Sequence, residues 1–272
     1  MVKFSIVVVC LNAGNKLKMT VESILAQTYG DYEIIVKDGM SSDGCLDDLP
    51  EDKRIRVFQE KDRGIYDGMN QAVERAGGEY IYFLNCGDFF YDKDVLRRVE
   101  AEMRKISQDQ NGAEGKAGRY IFYGDIYERL TGERVASNPS MDAFGCYRNV
   151  PCHQACFYGK LLMEEKGFDT GYKVRADYEH FLWCFFRGEA RTVYMPFLIA
   201  DYEGGGFSET RENRRISAAE HREITGKYMS AGQIFKYRAV MLLTLSRFRT
   251  WLAENKTTAH LYQKLKRRLY GR

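Results

Sequence analysis

The sequence predicts an α/β fold, a mostly parallel sheet flanked by helices and followed by a helical C-terminal extension. Three observations carry this expectation. Short apolar, β-branched runs alternate with stretches of helical spacing through roughly the first hundred residues, the pattern of a parallel sheet covered on both faces. Turn-rich and acidic segments follow these strands, and open α/β sheets bind ligands outside the carboxyl ends of their strands. From about Glu212 onward the strand signals stop and helix-forming residues take over.

Ser5 to Cys10 is a β-branched run bounded by Asn12, Gly14 and Asn15, and reads as a buried parallel strand. Leu17 to Gln27 places Leu17, Val21, Ile24 and Leu25 on one helical face. Glu33 to Lys37 is a second buried strand, closed by Asp38-Gly39 and the turn Ser41-Ser-Asp-Gly44, and Ile55 to Phe58 is a third. A helix from Tyr66 to Arg75 leads through Gly77-Gly78 into the apolar strand Tyr80 to Leu84. Lys93 to Ile106 is helical, and the polar, Gly-rich stretch from Gln108 to Gly118 reads as a mobile loop. Tyr120 to Glu128 and Arg134 to Ser137 form a hairpin across Thr131-Gly132. Lys160 to Lys166 and Tyr178 to Arg187 read as helices, Thr192 to Tyr194 and Leu198 to Tyr202 as strands. The expected organisation is one domain over 1–210, in two halves (1–105 and 106–210) that share one sheet. Residues 211–272 form the helical extension.

The chain has 272 residues and a formal net charge of +3, too small a charge to argue for a nucleic-acid partner. The seven cysteines, Cys10, Cys45, Cys86, Cys146, Cys152, Cys156 and Cys184, contain no CxxC pair. They read as reduced thiols in a reducing compartment, which points to a cytoplasmic protein. No signal-peptide pattern precedes the first strand, and no run approaches the roughly 20 apolar residues of a membrane span. From Lys236 on, Lys236, Arg238, Arg247, Arg249, Lys256, Lys264, Lys266, Arg267, Arg268 and Arg272 face a single acid, Glu254. With apolar positions at Ile234, Val240, Leu242, Leu243, Leu245, Phe248, Trp251 and Leu252, this extension is expected to meet an anionic membrane surface or a partner subunit.

Seven motifs occur in a familiar order: Ser5-Ile-Val-Val-Val-Cys-Leu-Asn12, Val36-Lys-Asp-Gly-Met-Ser-Ser-Asp-Gly44, Arg63-Gly-Ile-Tyr-Asp-Gly-Met-Asn70, Leu84-Asn-Cys-Gly-Asp88, His153-Gln-Ala-Cys-Phe157, Ala176-Asp-Tyr-Glu179 and Gly204-Gly-Gly-Phe-Ser208. With them the chain, from Phe4 to about Ser208, resembles the family 2 glycosyltransferases of GT-A fold, bacterial enzymes that move a sugar from a nucleotide-sugar to an acceptor. The resemblance implies that residues 1–105 are the nucleotide-binding half and 106–210 the acceptor half, and that Asp38 accepts a hydrogen bond from the nucleotide base. Cys10, Leu11 and Asn12 would touch the base at the end of the first strand, although Leu11 stands where the family often has an aromatic. Arg63 and Gly64, before a helix, suit phosphate recognition. On that helix Asp67 and Asn70 lie one turn apart, one facing the donor sugar and the other bracing a loop.

Asn85-Cys-Gly-Asp88 stands where the family usually shows Asp-x-Asp, so Asp88 is the only carboxylate left for a divalent Mn²⁺ or Mg²⁺, with Asn85 as a neutral oxygen donor beside it. Asp177 matches the place of the family's general base, with Glu179 as the alternate; an N-cap role is the other reading of Asp177. His153, Gln154 and Asp125 are expected on the acceptor or diphosphate side, and Gly204-Gly-Gly206 as a loop closing over the diphosphate. The implied function is an inverting, metal-dependent glycosyltransferase of cell-surface polysaccharide biosynthesis. It would take a nucleotide-sugar, first of all a UDP-sugar, and a saccharide or lipid-linked acceptor, at the inner face of the membrane. The rivals are a nucleotide-sugar-binding module that keeps the fold without catalysis, and a sugar nucleotidyltransferase.

Overall fold

The computed structural model describes residues 2–109, 118–205 and 210–244. Most of the expected 108–118 loop, Gly206 to Ser208 of the glycine-rich motif and the apolar positions from Leu245 on lie outside the described residues. The chain divides into two compact units, Met1–Ile224 and Thr225–Arg272.

In the first unit the elements run β1 (Phe4–Cys10), α1 (Asn15–Leu25), β2 (Tyr32–Asp38), β3 (Ile55–Gln59), α2 (Ile65–Glu74) and β4 (Tyr80–Phe83). These are the predicted elements to within two residues at each end. Two residues of strand follow as β5 (Phe89–Phe90), then α3 (Val95–Asp109), β6 (Tyr120–Glu128), β7 (Glu133–Val135), α4 (Ala143–Arg148), β8 (Cys156–Gly159), α5 (Lys160–Glu165), α6 (Ala176–Phe186) and β9 (Arg191–Tyr202). The helix α7 (Arg211–Tyr228) crosses the boundary between the units, and α8 (Ala231–Leu243) lies in the second.

All nine strands join one sheet in the order β3-β2-β1-β4-β8-β6-β9-β5, with β7 paired to β6. The β3-β2-β1-β4 half is wholly parallel. Beyond β4, β8 runs antiparallel to both β4 and β6, while β6 and β9 are parallel. The two strands expected at 192–194 and 198–202 are one, β9. Its register on β6 jumps from Tyr123↔Tyr194 to Asp125↔Leu198. Pro196, which has no N–H to give a ladder, sits in the slipped stretch.

β1 and β2 are buried almost throughout, as strands covered on both faces must be. Leu17, Val21 and Ile24 of α1 join the core on one face, and Met69, Ala72 and Val73 of α2 are buried on the helix that packs against β1 and β2. Aromatic rings bridge the parallel and mixed halves: Tyr82 stacks on Phe157 at 4.4 Å and on Phe90 at 5.1 Å. The ammonium of Lys37 is 1% exposed, and its three donors all find oxygen: Asp38 O at 3.1 Å, Glu60 O at 2.6 Å and Asp62 Oδ2 at 2.9 Å. Full satisfaction is what makes a buried charge tolerable. Here it ties the ligand edge of β2 to the loop that opens α2.

At the turn from α2 into β4 the chain runs against β1. A Cβ on Gly78 would stand 2.6 Å from Ser5 N and 2.7 Å from Phe4 C, with backbone atoms that have no room to yield. Gly78→Ala is therefore expected to lower unfolding free energy by about 1–3 kcal/mol in urea denaturation. An unchanged midpoint would show that the β1–β4 approach has slack.

Candidate active site

After β4 the chain turns through Asn85, Cys86 and Gly87, the last at φ +98°, into Asp88. That carboxylate is 3% exposed. Its Oδ1 accepts from the Glu203 main-chain N–H at 2.8 Å, its Oδ2 accepts from Gln154 Nε2 at 2.8 Å, and its own carbonyl accepts from Thr20 Oγ1 at 3.0 Å. Burial raises its pKa from an ordinary 3.8 to about 6, against the opposing pull of the Glu203 N–H, Gln154 and Arg129.

Asp177 sits in the first turn of α6, whose N-cap position belongs to Arg175. Asp177 is thus not the cap. Its Oδ1 lies 3.0 Å from the hydroxyl of Tyr66, which also lies 2.8 Å from Val174 O. Enclosure and the neighbouring Asp177 charge push the Tyr66 phenol well above its ordinary value, so it stays a donor. Burial holds the His153 imidazole below its ordinary value and therefore neutral, although the Asp177 charge works against this. Its Nε2 faces Asn85 Nδ2 at 3.3 Å as an acceptor, which leaves the proton on Nδ1, without a partner among the described residues.

Asp88, Asn85, His153, Gln154, Asp177, Cys10 and Leu11 all line one cavity of about 870 Å³. It opens at the carboxyl ends of β1 and β4, where an open α/β sheet binds ligands. The other predicted residues lie elsewhere. Asp38 is fully buried: its carboxylate accepts from Ser41 Oγ at 2.5 Å, Ser41 N at 2.9 Å, Met40 N at 3.1 Å and Gln59 Nε2 at 3.1 Å. Burial alone would raise its pKa, yet these bonds hold it below the usual range. It organises the loop after β2 and turns no free oxygen to the cavity.

Asn12, at φ +49°, accepts from Ser42 N and braces the same loop. Arg63 is exposed and pairs with Asp67 at 3.4 Å, and Asp67 takes the Arg63 N–H at 2.9 Å, so both fold the turn around Gly64, the N-cap of α2. Asn70 gives and receives hydrogen bonds of 2.8 Å with the Phe168 backbone and braces that loop. Asp125 is fully buried against Arg134, the Ser137 N–H and Tyr194. Glu179, two residues past Asp177 and so far around the helix, is buried against Lys166.

Several cavity residues carried little sequence signal. Glu203 directly follows β9, and the rule that singled out Asp88 after β4 finds it too; it pairs with Lys16 at 2.7 Å. Tyr66 was inside a motif but overshadowed by the charged residues around it. Arg148 comes from the end of α4, Arg175 from the start of α6 and Ser217 from α7, and only tertiary structure brings them to the cavity.

The donor set around Asp88 is oxygen-rich and fits a hard divalent cation: a carboxylate bonded only to neutral donors, with Glu203 and Asn85 also on the cavity wall. Cys10, Asp38 and Cys45 also come within 4.8 Å of one another. There the carboxylate is already saturated, and the Cys10 thiol donates to it at 3.4 Å, so this cluster is a packed hydrogen-bonded core.

Residues 5–146 match the description Glycosyl transferase family 2. A PGL/p-HBAD biosynthesis glycosyltransferase of Mycobacterium bovis (strain BCG / Pasteur 1173P2) is 34% identical over 216 residues, covering 76% of this chain and 79% of that protein. The chain belongs to glycosyl transferase family 2. Among solved structures, S. aureus TarS 1-349 in complex with UDP-GlcNAc matches at TM-score 0.63 and 16% identity, over 93% of this chain and 76% of that one. The chain spans 44% of the longer TarS structure. The mannosyltransferase PcManGT from Pyrobaculum calidifontis, in complex with GDP-Man and Mn²⁺, matches at TM-score 0.53 and 15% identity, over 100% of this chain and 88% of that one. These structures share the GT-A fold with this family 2 member.

Removing the Gln154 amide would leave Asp88 Oδ2 buried without its donor. Gln154→Leu is expected to lose about 1–3 kcal/mol at pH 7.5, where Asp88 is ionised, and distinctly less at pH 4.5, below its folded pKa of about 6. Urea denaturation at the two pH values checks this; an equal loss at both would place the effect in packing alone.

Proposed function

We propose that this protein is an inverting, metal-dependent hexosyl- or N-acetylhexosaminyltransferase that moves a sugar from a nucleotide-sugar, first of all a UDP-sugar, to a saccharide or lipid-linked saccharide acceptor in cell-surface polysaccharide biosynthesis. One observation carries the reading: Asp88, after β4, and Asp177, in the first turn of α6, line a single cavity. The nucleotide-sugars in the TarS and PcManGT structures support the donor class, and the Mn²⁺ in the latter supports a divalent cation.

Cys10 and Leu11 would meet the nucleotide base. Asp88, with Glu203 and Asn85 at hand, would hold Mn²⁺ or Mg²⁺, which when bound stabilises negative charge on the departing nucleoside diphosphate. With Arg63 outside the cavity, the cationic side chains on its wall, Lys16, Arg148 and Arg175, take over the diphosphate role first expected of Arg63. Asp177 accepts the proton of the acceptor hydroxyl as that oxygen bonds to the anomeric carbon and the carbon–oxygen bond to the diphosphate breaks. One displacement inverts the anomeric configuration. The Tyr66 hydroxyl, donating to Asp177, keeps the carboxylate aimed.

With UDP-glucose, UDP-galactose, UDP-GlcNAc and GDP-mannose offered with Mn²⁺, release of nucleoside diphosphate is expected from at least one donor. Asp177→Asn should slow that release by ~10²-fold or more while UDP still binds, and Asp88→Ala should abolish the EDTA-sensitive part. Pyrophosphate as product would mean nucleotidyl transfer, and donor binding without any product would mean a binding module. Full activity in Asp88→Ala would remove the metal assignment.

We also place the protein at the cytoplasmic face of a membrane. Among the described residues no helix is long and apolar enough to cross one, yet no residue of α8 is buried and Phe235, Leu242 and Leu243 are exposed beside Lys236 and Arg238. A basic segment with exposed apolar side chains attaches to anionic lipid by burying those side chains while its cations meet the headgroups. The protein is expected to float with anionic liposomes more than with neutral ones, and Leu242→Glu with Leu243→Glu should reduce that. Equal flotation with both lipids would leave a partner subunit or the protein's own surface as the target.

A further inference from the structure

The geometry points to Glu220, on α7, as the positioning residue for Asp177. This rests on the reading of Asp177 as the general base. The Glu220 carboxylate accepts three consecutive main-chain N–H groups: Lys173 at 2.7 Å on Oε1, and Val174 at 3.1 Å and Arg175 at 2.8 Å on Oε2. Successive amides converging on one point form a concave donor nest suited to an anion, and here the anion is a side chain. Glu220 is 8% exposed, and no cationic side chain pairs with it among the described residues. A buried carboxylate is costly unless its lone pairs are engaged, so the backbone of 173–175 is held by the strongest kind of acceptor available.

The segment so held is the one that launches α6, and Asp177 follows it by two residues. On its other side, the Val174 carbonyl faces the Tyr66 hydroxyl at 2.8 Å, the same hydroxyl that touches Asp177. One turn before Glu220 on α7, Ser217 Oγ accepts from Arg175 Nε at 2.7 Å. The launch of the catalytic helix is thus clamped between α7 on its N–H side and α2 on its C=O side. A glutamine at 220 would turn an N–H₂ toward one of these N–H groups and open the clamp. Misplacing a reacting group by about 1 Å costs on the order of 10²-fold in rate, so the consequence falls on the chemical step and not on donor affinity.

The test has one arm that needs no substrate. In Glu220→Gln of the full chain, hydrogen exchange of peptides covering 173–177 is expected to accelerate while exchange across β1, β2 and β4 stays unchanged. In the second arm, nucleoside diphosphate release is measured with the same four nucleotide-sugars and Mn²⁺. Glu220→Gln is expected to lower kcat by roughly 10- to 100-fold with UDP affinity changed by less than about twofold. In the Asp177→Asn background it should change the residual rate by less than about twofold, because a residue acting through another adds nothing once that one is gone. Should Glu220→Gln not fold, Glu220→Asp, which keeps the charge but withdraws it by one methylene, carries the same measurements. Unchanged exchange at 173–177, or rate losses that multiply in the double variant, overturns the proposal. An Asp177→Asn single variant of undiminished rate would show instead that the base assignment itself had failed.

Discussion

The Asp88 carboxylate, withdrawn from water beyond the end of β4, needs donors from the protein, and segments far apart in sequence come to supply them. Gln154, before β8, and the Glu203 N–H, after β9, each take one oxygen, while Thr20 of α1 takes the carbonyl. A pKa raised from 3.8 to about 6 corresponds to roughly 3 kcal/mol against the charged form, so the loops that meet here are arranged around an unmet electrostatic need. On the proposed function, a divalent cation would answer that need.

Asp177 lines the same cavity from α6. Its Oδ1 lies 3.0 Å from the Tyr66 hydroxyl, whose phenol is held above its ordinary value by burial and the neighbouring Asp177 charge. That hydroxyl also lies 2.8 Å from the Val174 carbonyl. On the proposed function, a carboxylate that had taken the acceptor's proton would donate to the Tyr66 oxygen while the Tyr66 hydrogen turned to the Val174 carbonyl.

Other charges buried near the cavity do structural work. Lys37 and Asp38 are saturated by their neighbours, and Asp125 and Glu179 are neutralised by Arg134 and Lys166. Family-like residues and cavity-lining residues therefore overlap only in part.

The first four strands, the helices between them and the ligand edge were legible in the sequence, because a buried parallel strand needs an unbroken apolar run and each helix needs a 3.6-residue apolar stripe. Asp88 stood out as the first carboxylate after a strand end and Asp177 through the family resemblance, and both line the cavity. The slipped pairing of β9 on β6 was not, since alternation along 191–202 does not report which partner residue each side chain meets. Nor could spacing tell that Asp38 would spend its oxygens on its own loop and Asp125 on Arg134, Ser137 and Tyr194, or that Glu220, in a polar helix beyond the expected domain edge, would reach the backbone ahead of Asp177. Sequence determines where an element starts and which face it buries, because those depend on neighbours a few residues away. Which carboxylate faces the cavity is decided by donors 66 to 115 residues distant, and only the folded chain brings them within hydrogen-bond reach.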